Sequence, residues 1–133
     1  MKTKFVALLL FVASGAHANS QTSNEIVASG QKSWKAFQCA ALAGKANLGQ
    51  QYIDAAFNIA FENGEIFLAA FRAGKLPLET QSKWPAALAV KEGEAAFVFG
   101  AAFAIAKNEI DEKPNDMKSL LGEFNLQGCA EID

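Results

Sequence analysis

Apolar and polar positions recur along this chain with helical spacing, and four helices can be marked out from that pattern alone. Residues 22–25, Thr-Ser-Asn-Glu, have the S/T-x-x-E form of a capping box, in which two side chains satisfy backbone N–H groups left open at a helix start. The first helix is therefore expected to begin near Ser23. At about 100° per residue, Ile26, Val27, Gly30, Trp34, Phe37 and Ala41 share one arc, with Glu25, Lys32 and Lys35 opposite. Cys39 falls on the polar flank, and residues 44–47 end the helix.

The second helix has the clearest pattern. Gln51, Asp54, Asn58, Glu62, Glu65 and Arg72 make a narrow polar stripe. Leu48, Tyr52, Ala56, Ile59, Ile66 and Ala70 oppose it, with Ile53, Phe57, Phe67 and Phe71 widening the apolar arc. The stripe keeps its phase across Asn63 and Gly64, which predicts one helix of about 25 residues without a turn. Arg72 supplies a basic last turn, Gly74 a left-handed stop, and Pro77 follows.

Residues 75–84 carry no helical phase. Trp84-Pro85 then places a proline where a helix can start, which predicts a third helix over residues 85–110. No charged or strongly polar side chain occurs from Ala95 to Ala106, so this helix is expected to be buried on all sides at the centre of the fold. Its twelve charge-free residues rise only about 18 Å, short of a bilayer's hydrocarbon core. Ala86, Ala89, Gly93, Ala96, Gly100 and Ala104 form a small-residue stripe expected to face the Phe-rich second helix. After a break at residues 111–114, Asn115 is expected to cap a short fourth helix with Met117, Leu120, Leu121 and Phe124 on one face. With no hairpin signal, the fold class is all-α: a compact bundle of three long helices and one or two short ones.

The start of the chain changes the compartment. Residues 1–18 read as a secretory signal, with Lys2 and Lys4 ahead of the apolar run 5–12 and Ala16-His17-Ala18 as a cleavage site. Cleavage leaves residues 19–133 as one domain, and removes two of 12 basic residues, none of 14 acidic ones and the only histidine. Imidazole-dependent nucleophiles and most zinc and haem sites are thereby excluded, and no metal or cofactor is expected. An acidic product also lacks the footprint for nucleic acid. In an oxidising compartment the two cysteines, Cys39 and Cys129, are expected to pair, with the tail crossing the outer side of the first helix. The product is expected to be soluble, with no stable membrane insertion.

Carboxylates are the only acid–base groups in quantity. Asp54, Glu62 and Glu65 share the polar stripe, so a two-carboxylate hydrolase is conceivable, although the stripe reads better as a solvated face. Glu92 and Glu94 diverge around the third helix, and the cluster Glu109, Asp111, Glu112 and Asp116 lacks the glycine and spacing of a calcium loop. Asn63 sits on the apolar arc and is expected to be a buried polar group bonded to backbone beside Gly64. Trp34 is read as core. Residues 75–84 are the expected binding segment, with Leu78, Lys83 and Trp84 facing a protein partner; the alternative is that Trp84 folds down over the core.

In size, compartment and one-disulfide helical build the chain is similar to periplasmic immunity proteins that block cell-wall-degrading effectors, and to small periplasmic acid-stress chaperones. The resemblance covers architecture only. It implies an exported, non-enzymatic protein that binds a protein partner, of inhibitor or immunity type. The competing readings are a small carboxylate-dependent cell-wall hydrolase and a helical carrier of an apolar ligand or chaperone.

Overall fold

The computed structural model describes residues 21–132; the expected signal segment, residues 1–18, lies outside them. Four α-helices follow in order: α1 (Ser23–Lys45), α2 (Gln50–Arg72), α3 (Ala95–Asp111) and α4 (Met117–Leu126). Short 3-10 turns lie at Leu78–Lys83, Ala86–Leu88 and Cys129–Glu131. No strand occurs among the described residues, so the chain is all-α, and a disulfide joins Cys39 to Cys129.

The capping box forms as its residue types dictate: Glu25 donates its N–H to Thr22 Oγ1 at 3.3 Å, and Thr22 donates its N–H to Glu25 Oε2 at 2.7 Å. The first half of α1 is amphipathic. In its second half every residue over 36–43 except Gln38 is buried, because α2, α3 and α4 all pack on it. Cys39, on the flank that the sequence reads as polar, is only 1% exposed. The tail crosses that flank, and Leu120, Phe124 and Cys129 cover it.

α1 and α2 approach closely through small residues. A Cβ on Gly30 would lie 2.5 Å from Phe67 Cδ2, and one on Gly64 would lie 2.9 Å from Ser33 Oγ and 2.8 Å from Phe99 Cε1. Ser33, fully buried and the one buried polar residue among the described residues, donates Oγ–H to the Ala60 carbonyl at 2.6 Å. The polar stripe of α2, from Gln51 to Arg72, is exposed along its length. The helix runs unbroken through Asn63 and Gly64, and Gly74 follows with φ +67°.

Three expectations about α3 are corrected. The helix starts at Ala95, ten residues after Pro85, because Pro85 instead precedes a single 3-10 turn and Gly93 adopts φ +99°, outside the helical region. Arg72 fastens this irregular stretch by donating Nε–H to the Val90 carbonyl at 3.1 Å and a terminal N–H to the Gly93 carbonyl at 2.7 Å. Secondly, α1 is the central helix, and α3 is covered on one side only, by Val98, Phe99, Ala102, Ala106 and Ile110. Thirdly, the small residues Ala96, Gly100 and Ala104 face solvent, so the close contact with α2 does not occur through them. α2 and α3 meet chiefly through aromatic rings, with Phe57, Phe61, Phe99 and Phe103 arranged around Phe37 at centroid distances of 6.0–6.4 Å.

The ends are closed by charge. Lys45 donates Nζ–H to the carbonyls of Ile110 at 2.8 Å, Asp111 at 3.1 Å and Lys113, supplying a cation where the last turn of α3 leaves carbonyls open. Asp116, not Asn115, caps α4: its Oδ2 accepts from the Ser119 N–H at 2.9 Å.

Candidate functional site

The chain between α2 and α3 is held by local chemistry. Pro77 enters the 3-10 turn Leu78–Lys83 in extended geometry, and Thr80 donates Oγ–H to its carbonyl at 2.7 Å. Trp84 then donates Nε1–H to Thr80 Oγ1 at 3.0 Å and stands edge-on to Phe71 at 5.5 Å, interplanar angle 81°. Phe71 stacks on Phe67 in the core. Trp84 is therefore half-buried and fixed, folded over the core as the alternative sequence reading has it.

What remains open of Trp84 borders a cleft of about 620 Å³ between α1, α3 and residues 83–87. Trp34 from α1 and Ile105 from α3 supply apolar wall, Pro85, Ala86 and Ala87 the lip, and Gln31, Lys83 and Glu109 the polar rim. The rim is tied: Gln31 donates Nε2–H to the Lys83 carbonyl at 3.1 Å, and Gln38 donates Nε2–H to Glu109 Oε2 at 3.3 Å. A cleft with fixed aromatic walls and few polar groups has the chemistry to accept an apolar group at low cost in conformational entropy.

Of the residues singled out from sequence, the fold brings Lys83 and Trp84 into this cleft. Leu78 is not with them; it is 78% exposed on the preceding turn and does not line the cleft. Trp34 is half-buried and divided between core and cleft, so reading it as pure core is corrected. Gln31, Ile105 and Glu109 were not expected there. Gln31 comes from α1, and Ile105 and Glu109 lie one turn apart on α3, so only the packing of α3 on α1 brings them to one place; the apolar lip at Pro85-Ala86-Ala87 was the one local signal.

The other candidates are dispersed. Asp54, Glu62 and Glu65 lie exposed on the outer face of α2, and Asp54 Oδ1 accepts from Gln50 Nε2 at 2.7 Å. Asn63 is half-buried, not buried, and donates Nδ2–H to the Ile59 carbonyl one turn back at 2.9 Å. It borders a polar depression beside Thr22, Glu25 and Lys32 at the start of α1. No group of three or more His, Cys, Asp or Glu among the described residues is placed to hold a metal ion, and none of the described helices is long and apolar enough to cross a membrane.

Two carboxyls have shifted affinities, both around α4. Hydrogen bonds from the Ser119 side chain and backbone hold Asp116 below the usual carboxylate range. Hydrogen bonds from Gln127 and Lys113 do the same for Glu123. Neither borders the cleft, so they act on structure.

No protein-family model, curated protein or solved structure matches the chain.

Proposed function

We propose that the protein is a small exported, non-enzymatic binding protein whose cleft at Trp34, Lys83 and Trp84 receives an apolar side chain of a protein partner, in an inhibitor or immunity role. The observation that carries this reading is the fixed aromatic wall: Trp84 is held by both Thr80 and Phe71 before any partner arrives. Buried aromatic anchors in pre-set pockets dominate protein interfaces. The disulfide suits an oxidising compartment. Net acidity after removal of residues 1–18 favours a basic partner by steering encounter.

The test uses the exposed lip residue Ala86. A photo-crosslinker at position 86 is expected to trap a partner that one at Asp54 does not, and the purified partner should bind Ala86→Arg at least tenfold more weakly at an unchanged melting temperature. Equal trapping from both positions, or unchanged binding by Ala86→Arg, overturns the assignment of the cleft.

A further inference from the structure

The cleft at Trp84 has an acidic end. Gln31, Trp34 and Gln38 are spaced i, i+3 and i+7 in sequence, so they share one face of α1 and form a single row. The two ends of that row are tied to different elements. Gln31 donates Nε2–H to the Lys83 carbonyl at 3.1 Å, and Gln38 donates Nε2–H to Glu109 Oε2 at 3.3 Å. Between Gln31 and Gln38 the helix rises about 10 Å. The cleft is therefore elongated, with Lys83 and Trp84 at one end, Glu109 at the other, and Trp34 on the floor between them.

Glu109 has no cation of its own. The bases around the end of α3 are engaged elsewhere: Lys107 pairs with Asp111, Lys113 pairs with Glu123 at 3.2 Å, and Lys45 donates to the carbonyls of Ile110, Asp111 and Lys113. Among the described residues, the Glu109 side chain is bonded to the neutral amide of Gln38 alone, and its Oε1 accepts from none of them. A carboxylate beside an indole suits a guanidinium, whose planar fork pairs with the acid while its flat face packs on the ring. We propose, on the reading of the cleft as a partner site, that the partner enters as an extended segment whose apolar side chain lies against Trp84 and whose arginine, two residues away, pairs with Glu109. Side chains two apart on one face of an extended segment are separated by about 7 Å, which fits within the roughly 10 Å between the ends of the row. Lys83 sets the direction. Its ammonium at the lip repels a guanidinium and leaves the Glu109 end as the seat for it. The acidic balance of residues 19–133 steers such a basic segment toward the protein.

The probe is a random-peptide display library selected on the purified protein with its disulfide intact. Peptides that bind the wild-type chain and are lost on Ala86→Arg are ligands of the cleft, and they are expected to carry an apolar residue with an arginine two positions away. With the tightest of them, Glu109→Gln and replacement of the peptide's arginine by glutamine should each weaken binding about tenfold. Made together they should weaken it no further, because both remove one contact. Glu109 is exposed and tied to Gln38 alone, so Glu109→Gln should leave the melting temperature unchanged. Added salt should weaken binding to the wild-type chain and leave binding to Glu109→Gln nearly constant. Ligands of the cleft that lack arginine, or losses that add instead of coinciding, overturn the pairing with Glu109 while the cleft stands as an apolar site. A library that yields no peptide sensitive to Ala86→Arg overturns both.

Discussion

Where α1 crosses α2, the side chain of Phe67 lies in the space a larger residue at position 30 would need, 2.5 Å from a Cβ placed there. Two effects oppose each other at this glycine. Alanine favours a helix interior by up to about 1 kcal/mol, whereas forcing a methyl into a packed contact costs roughly 1–3 kcal/mol. The ring of Phe67 is fully buried and has no room to retreat, so Gly30→Ala should destabilise the protein by about 1–2 kcal/mol in a urea titration. Gly122 in α4 has nothing within 4 Å of its Cβ position. There only the helix preference acts, and Gly122→Ala should stabilise by about 0.5–1 kcal/mol in the same assay. Equal signs for the two substitutions would mean that Gly30 does not set the distance between the helices. The same reasoning separates Asn63 from Ser33. Both are polar residues on apolar arcs, but Asn63 has its partner one turn back in its own helix, and its position was readable from the wheel. Ser33 reaches across to another helix, and no local pattern in the sequence points to Ala60.

At the scale of elements, α1 and α2 were readable because their ends carry chemistry of their own, the box at Thr22 and Glu25 and the stop at Gly74, and α4 was readable from its apolar spacing, although its cap is Asp116, one residue beyond the expected Asn115. The start of α3 was not. A proline after tryptophan opens a 3-10 turn as readily as an α-helix, and the left-handed Gly93 is tolerated because Arg72, twenty-one residues away, binds its carbonyl. Apolar content also misplaced the centre. The run Ala95 to Ala106 is more uniformly apolar than α1, yet a helix is covered only where neighbours reach it, and Gly30, Ala36 and Ala40 let them reach α1. α4 is the element most exposed to acid. Asp116 and Glu123, held low by their hydrogen bonds, release their protons more readily folded than unfolded, so they add stability at neutral pH that is lost as the pH falls through and below the ordinary carboxylate range. Hydrogen exchange should show α4 losing protection before α1 and α2 on acidification. Asp116→Asn with Glu123→Gln, which keeps oxygen acceptors and removes the titration, should flatten that dependence. An unchanged acid response in the double variant would place its origin elsewhere.

For the whole molecule, the bond between Cys39 and Cys129, 90 residues apart in sequence, closes nearly every described helix into one loop. In the chain-entropy account a loop of this length contributes about 4–5 kcal/mol. Replacing both cysteines by alanine should lower the melting temperature on the order of 15 °C; a shift of a few degrees would show that α1 and α4 hold together without it. The cleft illustrates what the linear pattern withholds. Lys83 and Trp84 were readable as part of a segment apart from the helices, whereas Pro85 to Ala87 were read as helix, and Gln31, Ile105 and Glu109 join them only through the packing of α3 on α1, a property of the assembled fold.

The central place of α1 has a temporal side. A chain that emerges N-terminus first delivers its axis before anything that covers it, and residues 36–43 must wait for α2, α3 and α4 to arrive. During that interval an apolar helix stands bare, and its cysteine has no mate for ninety residues. The helix made first is therefore the one whose burial is completed last, because its covering surfaces lie in every helix that follows it.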